Sequence, residues 1–150
     1  MVKRLLIFIF LSITTIGCVE KVNKDPFVWI PIEVTATAYN SVPSQTSDIH
    51  PEITAWGDSL KPGMKVIAVS RDLIAKGLKY NTMVRIDEFS DTFYVKDKMH
   101  HKWRNSIDIY MDNDIKKARE WGRRKLIIKY AVLKQNLDSL QAMSEINNIE

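Results

Sequence analysis

The chain has a single cysteine, Cys18, so no disulfide can form within it. It has only three histidines, none in a His-x-x-x-His spacing, and no cysteine pair, so the common zinc-ligand patterns are missing. Charge of one sign is also scarce. Lys and Arg number 22 against 18 Asp and Glu, a net +4, and without residues 1–17 the balance is 20 against 18, or +2. That is too mild to argue for nucleic acid, and the densest basic stretch, Lys116 to Lys125, reads as a solvated helix face. Repeats and low-complexity tracts are absent, and 45% hydrophobic with 27% charged residues is the composition of one globular domain with a core. Only one long apolar run exists, Leu5 to Ile16, broken by Ser12, Thr14 and Thr15. Twelve helical residues span about 18 Å at roughly 1.5 Å each, short of the roughly 30 Å of a bilayer core. The run therefore reads as an export signal rather than a transmembrane helix.

Met1-Val2-Lys3-Arg4 gives that run a basic start, and Thr15-Ile16-Gly17-Cys18 closes it. The closing tetrad resembles a bacterial lipobox, with Thr15 in place of the usual aliphatic residue. By that resemblance Cys18 is lipidated and becomes the new N-terminus, which makes the chain an extracytoplasmic, membrane-anchored lipoprotein. The expected organisation is a signal peptide over 1–17, a lipidated tether over 18–31, a folded domain over 32–132 and a helical tail over 133–150.

The folded part opens on a period of two: Ile32, Val34, Ala36 and Ala38 alternate with Glu33, Thr35, Thr37 and Tyr39. Asn40 to Glu52 is rich in Ser, Thr, Asp and Pro and reads as loop. Further strands are predicted over Lys65–Ser70, Thr82–Ile86, Phe89–Lys96, Ser106–Met111 and Lys125–Val132. A short helical turn is predicted at Asp72–Leu78. A helix over Asn113–Trp121 has Asp112, Asn113 or Asp114 as N-cap and Gly122 as its stop. Leu133, Leu137, Leu140 and Met143 fall at helical spacing in the tail. Six short strands and one helix in about 100 residues imply a small, mostly β barrel.

Three aspartates then stand out. Asp108 interrupts the strand Ser106 to Met111, and Asp is among the residues strands most often exclude. Asp97 ends Thr92 to Asp97, on the same strand face as Phe93 and Val95 by simple alternation. Asp58 sits in the glycine-bearing turn Ala55-Trp56-Gly57-Asp58-Ser59-Leu60. A carboxyl against an apolar face, with like charges nearby, has its pKa raised, and a general acid needs that.

Ile53-Thr54-Ala55-Trp56-Gly57-Asp58, Tyr94-Val95-Lys96-Asp97-Lys98-Met99 and Asn105 to Met111, followed by Ala118-Arg119-Glu120-Trp121-Gly122, resemble the three-aspartate ("3D") domain family. The resemblance covers roughly Val34 to Tyr130. It implies a six-stranded double-psi β-barrel similar to the catalytic part of membrane-bound lytic transglycosylase A, with peptidoglycan glycan strands as partner. It maps Asp108 onto the catalytic acid, with Asp97 and Asp58 as supporting carboxylates. Many relatives carry a glycine-rich stretch after the second aspartate; here stands Lys98-Met99-His100-His101-Lys102-Trp103.

The implied chemistry needs one working acid. Ordinary glycosidases use two carboxylates. In a lytic transglycosylase the muramic acid's own C6 hydroxyl attacks the anomeric carbon, so one Asp can protonate the leaving oxygen and then accept the hydroxyl proton, giving a 1,6-anhydro product. No cofactor or metal is called for, and a monomer suffices. Trp56, Gly57, Trp103 and Tyr110 are candidate sugar contacts, with Trp56 and Trp103 balanced between groove and packing; Trp121 is expected to pack in the core. Two decoys fail on context. Gly57-Asp58-Ser59-Leu60 spells an esterase signature that Ser59, His100 and Asp97 could complete as a triad, but a short β-rich segment cannot supply the α/β scaffold. His50, His100 and His101 could join the acids around a metal, but adjacent histidines do not readily face one site from a strand. The rival from another class is a non-catalytic polysaccharide-binding module on the same barrel.

Overall fold

A computed structural model of the chain describes residues 25–42 and 50–137. The expected signal, the tether up to residue 24 with Cys18, part of the 40–52 loop and the tail beyond Leu137 lie outside the described residues. Six strands are present: β1 (Phe27–Tyr39), β2 (Val66–Val69), β3 (Met83–Ile86), β4 (Thr92–Lys98), β5 (Ser106–Tyr110) and β6 (Arg124–Leu133). Two helices join them, α1 (Arg71–Ala75) and α2 (Ile115–Trp121). The strands close into a barrel in the order β1-β5-β2-β4-β3-β6. Here β5 is inserted between β1 and β2, parallel to the first and antiparallel to the second, while β2 and β4 also run parallel. The result is the expected mostly β, double-psi barrel, with one helix before the last strand and helical residues resuming at 134–137.

The alternation seen in the sequence sorts the two faces. Val34, Ala36, Ile67, Val69, Val84, Ile86, Phe93, Val95, Ile107, Ile109 and Ile128 fill the barrel interior. Burying each such branched side chain stabilises by about 1.5–3 kcal/mol, before the entropy of ordering the chain is set against it. Outside the barrel a second apolar cluster gathers Tyr39, Leu60, Val66, Ala68, Met99 and Tyr110, with Met64 and Trp103 against it. This outer cluster carries the site described below.

One boundary is corrected. Phe27 to Pro31, assigned above to the tether, form the start of β1 and pair with Lys129–Leu133 of β6. Prolines at 26 and 31 suggested a linker, but β1 meets β5 only from Thr35 onward, so its first half is an edge where a missing N–H is tolerated. Elsewhere the turn chemistry behaves as expected. The Asp114 carboxylate caps α2 by accepting from the Lys117 N–H at 2.9 Å, and Gly122 ends the helix at φ +66°. Trp121 packs against the interior cluster, with its ring 5.2 Å from that of Phe89.

Candidate functional site

Ala68 on β2 is the centre of the site. Its partner on one side is Asp97 of β4 and on the other Asp108 of β5. Two carboxylates thus stand on one row of the sheet, two strand spacings or about 10 Å apart at the backbone, with the smallest chiral side chain between them. Any larger residue at position 68 would fill the space their carboxyls share.

Asp97 reaches this row only because β4 is irregular. The β2–β4 register advances from Ile67 opposite Val95 to Ala68 opposite Asp97, leaving Lys96 as the extra residue of a β-bulge. Simple alternation placed Asp97 with Phe93 and Val95, which line the interior. The bulge reverses that and turns Asp97 to the outer face with Ala68 and Asp108. Asp97 Oδ1 then accepts from the backbone N–H of Ala55 and of Lys98, both at 2.7 Å. The first bond fastens the 53–60 hairpin to the barrel. That hairpin is held by an Ile53–Ser59 bridge, by Thr54 N–H to the Asp58 carbonyl at 2.9 Å and by Asp58 N–H to Thr54 Oγ1 at 3.0 Å. Its turn residue Gly57 adopts φ +90°, a conformation that L side chains rarely take.

Between hairpin and barrel lies an open groove of about 420 Å³. Asp97 and Asp108 stand on its wall with Tyr39, while Ile53, Leu60, Met99 and Trp103 supply apolar surface. Burial is the main cause pushing both carboxyls up, and the negative charge of Asp97 raises Asp108 further. The Thr37 hydroxyl, donating to Asp108 Oδ1 at 2.8 Å, opposes the rise, and Asp108 settles at about 6. Asp97 rises as well, held back by its two backbone N–H donors and the Lys98 cation and pushed on by Asp58. Near pH 6 about half of Asp108 therefore holds a proton, in a wall open to a ligand.

Asp58 does not line the groove. Its Oδ1 accepts from the Tyr80 hydroxyl at 2.9 Å and from Lys96 Nζ at 3.4 Å. The three aspartates form an electrostatic relay in which Asp58 acts on Asp97 and Asp97 acts on Asp108. Of the four candidate sugar contacts only Trp103 lines the groove. Trp56 stands edge-on to Tyr80 at 5.4 Å and packs against the interior cluster. Gly57 is the hairpin turn, and Tyr110 lies behind Tyr39 with ring centroids 5.6 Å apart and its hydroxyl 3.1 Å from Ser41 Oγ. Ser59 does not line the groove either.

Thr37, Tyr39 and Ala68 were not singled out in the sequence. The only signal was the period of two in β1, which put Thr37 and Tyr39 on the face opposite Val34 and Ala36. Tyr39 is 7% exposed, and its buried hydroxyl faces the Asp97 carboxylate without forming a hydrogen bond of good geometry among the described residues. Burial first, then the charges of Asp97 and Asp108, push its pKa far up, so it stays a neutral phenol beside the acid pair. Removing a hydroxyl that makes no good bond forfeits little. Tyr39→Phe is therefore expected to unfold in urea within about 1 kcal/mol of the parent, or above it; a loss of several kcal/mol would show that the hydroxyl is bonded.

No protein-family model matches the chain, and no curated protein matches it in sequence. Among solved structures, two of an expansin are similar to part of the chain. An apo expansin from Clavibacter michiganensis is similar at 16% identity and a TM-score of 0.43, over 70% of this chain and 52% of that one. An Asp-to-Asn mutant of the same organism's expansin, in complex with cellohexaose, is similar at 14% identity and a TM-score of 0.42, over 69% of this chain and 50% of that one. The chain spans about half the length of these expansins.

Proposed function

We propose that the groove binds a β-1,4-linked glycan and that Asp108 cuts it as the lone acid and base of a peptidoglycan lytic transglycosylase. The observation that carries this reading is the Asp108 carboxyl, raised to about 6 by burial and by Asp97 in the wall of an open groove. A general acid works best with its pKa near the working pH. Protonated, Asp108 would give its proton to the glycosidic oxygen; as a carboxylate it would then take the proton of the C6 hydroxyl that closes the 1,6-anhydro ring. Asp97 is the setting rather than the partner acid, since its Oδ1 is engaged by two backbone N–H groups. The apolar surface of Trp103, Met99 and Leu60 suits the faces of sugar rings. The sequence up to Cys18 supports an exported, lipid-anchored chain, which would place the groove where peptidoglycan is.

The second reading is a groove that holds polysaccharide without cutting it. The same apolar surface favours it, and binding would need no proton from Asp108. Digesting purified glycan strands and analysing the products by mass spectrometry separates the two. 1,6-Anhydromuramic ends are expected. Free reducing ends would indicate hydrolysis, and intact strands that still pellet with the protein would indicate a binder.

A further inference from the structure

The two carboxyls of the groove wall are not served alike. Asp97 Oδ1 accepts from the N–H groups of Ala55 and Lys98, whereas its Oδ2 accepts no hydrogen bond among the described residues. Asp108 Oδ1 has the Thr37 hydroxyl. One donor close by is not engaged. The Tyr39 hydroxyl, at the end of β1, is buried in the groove wall, faces Asp97 and makes no hydrogen bond of good geometry among the described residues. Strand pairing puts it there: Tyr39 and Thr37 share the outer face of β1, with Thr37 opposite Asp108 and Tyr39 two residues further along, opposite Tyr110. A buried hydroxyl without a partner is costly, so a phenol in this place calls for a use.

The two carboxyls compete for a proton. Burial raises both, the charge of Asp97 raises Asp108 further, and in such a coupled pair the first proton goes to the carboxyl whose charge is less well solvated. A mechanism with one working acid needs that carboxyl to be Asp108. The groups acting on Asp97 pull in both directions. Lys98 and the two N–H donors favour its charge, while Asp58 opposes it and is itself held by Lys96 at 3.4 Å. Of the other titratable groups, Tyr110 stands behind Tyr39 and His100 lines the groove. In the open groove water also reaches Asp97. A ligand that expels this water leaves the Tyr39 hydroxyl as the donor for Oδ2, and hydrogen bonds that are loose in an empty site tighten when the site fills.

We propose that Tyr39 is a positioning residue that holds the negative charge on Asp97, by donating its hydroxyl hydrogen to that carboxylate, so that the exchangeable proton of the pair stays on Asp108. The phenol is neutral throughout, because burial and the two acid charges oppose its ionisation, and no covalent bond to it forms or breaks. The kinetic half of the inference rests on the proposed role of Asp108 as acid; the sorting of charge between the two carboxyls is read without any glycan.

The test is Tyr39→Phe in the full chain, with the Asp97 and Asp108 carboxyls followed by NMR titration. The Asp97 midpoint is expected to rise by roughly half a pH unit, a size that fits the small stability change expected of the same variant, and the Asp108 midpoint is expected not to rise. A ring-fluorinated tyrosine placed at position 39 alone, a stronger donor of nearly the same shape, should move Asp97 the other way. With glycan strands the Phe variant should show kcat roughly threefold to tenfold lower and KM unchanged, since the buried hydroxyl touches no ligand. An Asp97 midpoint that is unmoved or lower in the folded Phe variant overturns the proposal. So does an equal rise of both carboxyls, or a raised KM with kcat unchanged, which would put the hydroxyl on the ligand instead. Should the Phe variant not fold, the fluorinated protein decides, and an unmoved Asp97 there overturns the proposal as well. If the parent cuts no glycan, the lytic reading falls, while the titrations still decide the role of Tyr39.

Discussion

Asp108→Asn is expected to give a protein that is more stable than its parent above pH 6 and, on the proposed function, strongly impaired in cutting glycan strands. The stability effect follows from the raised carboxyl. Between its ordinary value of 3.8 and its folded value of about 6, the native state holds a proton that the unfolded chain has released, so parent stability falls as pH rises through that window. Above the window the full penalty, at most about 3 kcal/mol, is present. Below pH 4 it vanishes, because Asp108 is protonated in both states. Asn carries no charge and keeps an oxygen for the Thr37 hydroxyl, so it escapes the penalty at every pH. For a domain of this size the unfolding midpoint at pH 8 should rise by up to about 10 °C, with no gain at pH 3.5. Cleavage should drop by roughly 10²- to 10⁴-fold, the usual contribution of a positioned acid. Thermal unfolding at the two pH values and release of anhydro-ended fragments check the two halves separately. A variant that retains full lytic activity would remove Asp108 from the chemistry whatever its stability.

Asp97 is expected to split its two roles between two substitutions. Asp97→Ala leaves the N–H groups of Ala55 and Lys98 without their acceptor and frees the 53–60 hairpin, which should lower stability by about 2–4 kcal/mol. Asp97→Asn keeps an oxygen for both donors and should stay within about 1 kcal/mol of the parent. It also removes the negative charge that raises Asp108, so the Asp108 pKa should move down from about 6. The alkaline limb of the pH–rate profile, or an NMR titration of the Asp108 carboxyl, should shift to lower pH without reaching the ordinary carboxylate value, because burial is the larger cause. An unmoved Asp108 titration in a folded Asp97→Asn variant would break the relay from Asp97 to Asp108.

These effects depend on features that differ in how far the sequence reveals them. The barrel was legible because its strands are short, β-branched and of period two, and because Asp114 marks the start of α2 and Gly122 its stop. Asp108 was legible as an anomaly, a carboxylate amid Ile107, Ile109 and Tyr110. Asp97 was legible as a residue but not as a direction, since alternation counted from Phe93 put it inside the barrel. Trp56 and Tyr110 look like sugar contacts beside the aspartates in one dimension, yet both are turned to packing in three. Trp103 looked no different from Trp56, and it is the one in the groove.

By itself, then, the sequence determined the mostly β architecture and the two-faced strands and marked Asp97 and Asp108 as carboxylates out of place in strands, because these follow from local preference and from the period of apolar residues, while the ranking of Asp108 as the acid came from the family resemblance. Only the tertiary structure decided that Asp97 and Asp108 flank Ala68, that Asp58 stands outside the groove, and that Tyr39 and Trp103 line it. The physical reason is that a one-residue bulge reverses which face a side chain takes, and a bulge exists only between two paired strands. Likewise a pKa of about 6 belongs to no residue alone; it arises when folding removes water from one carboxyl and sets another beside it.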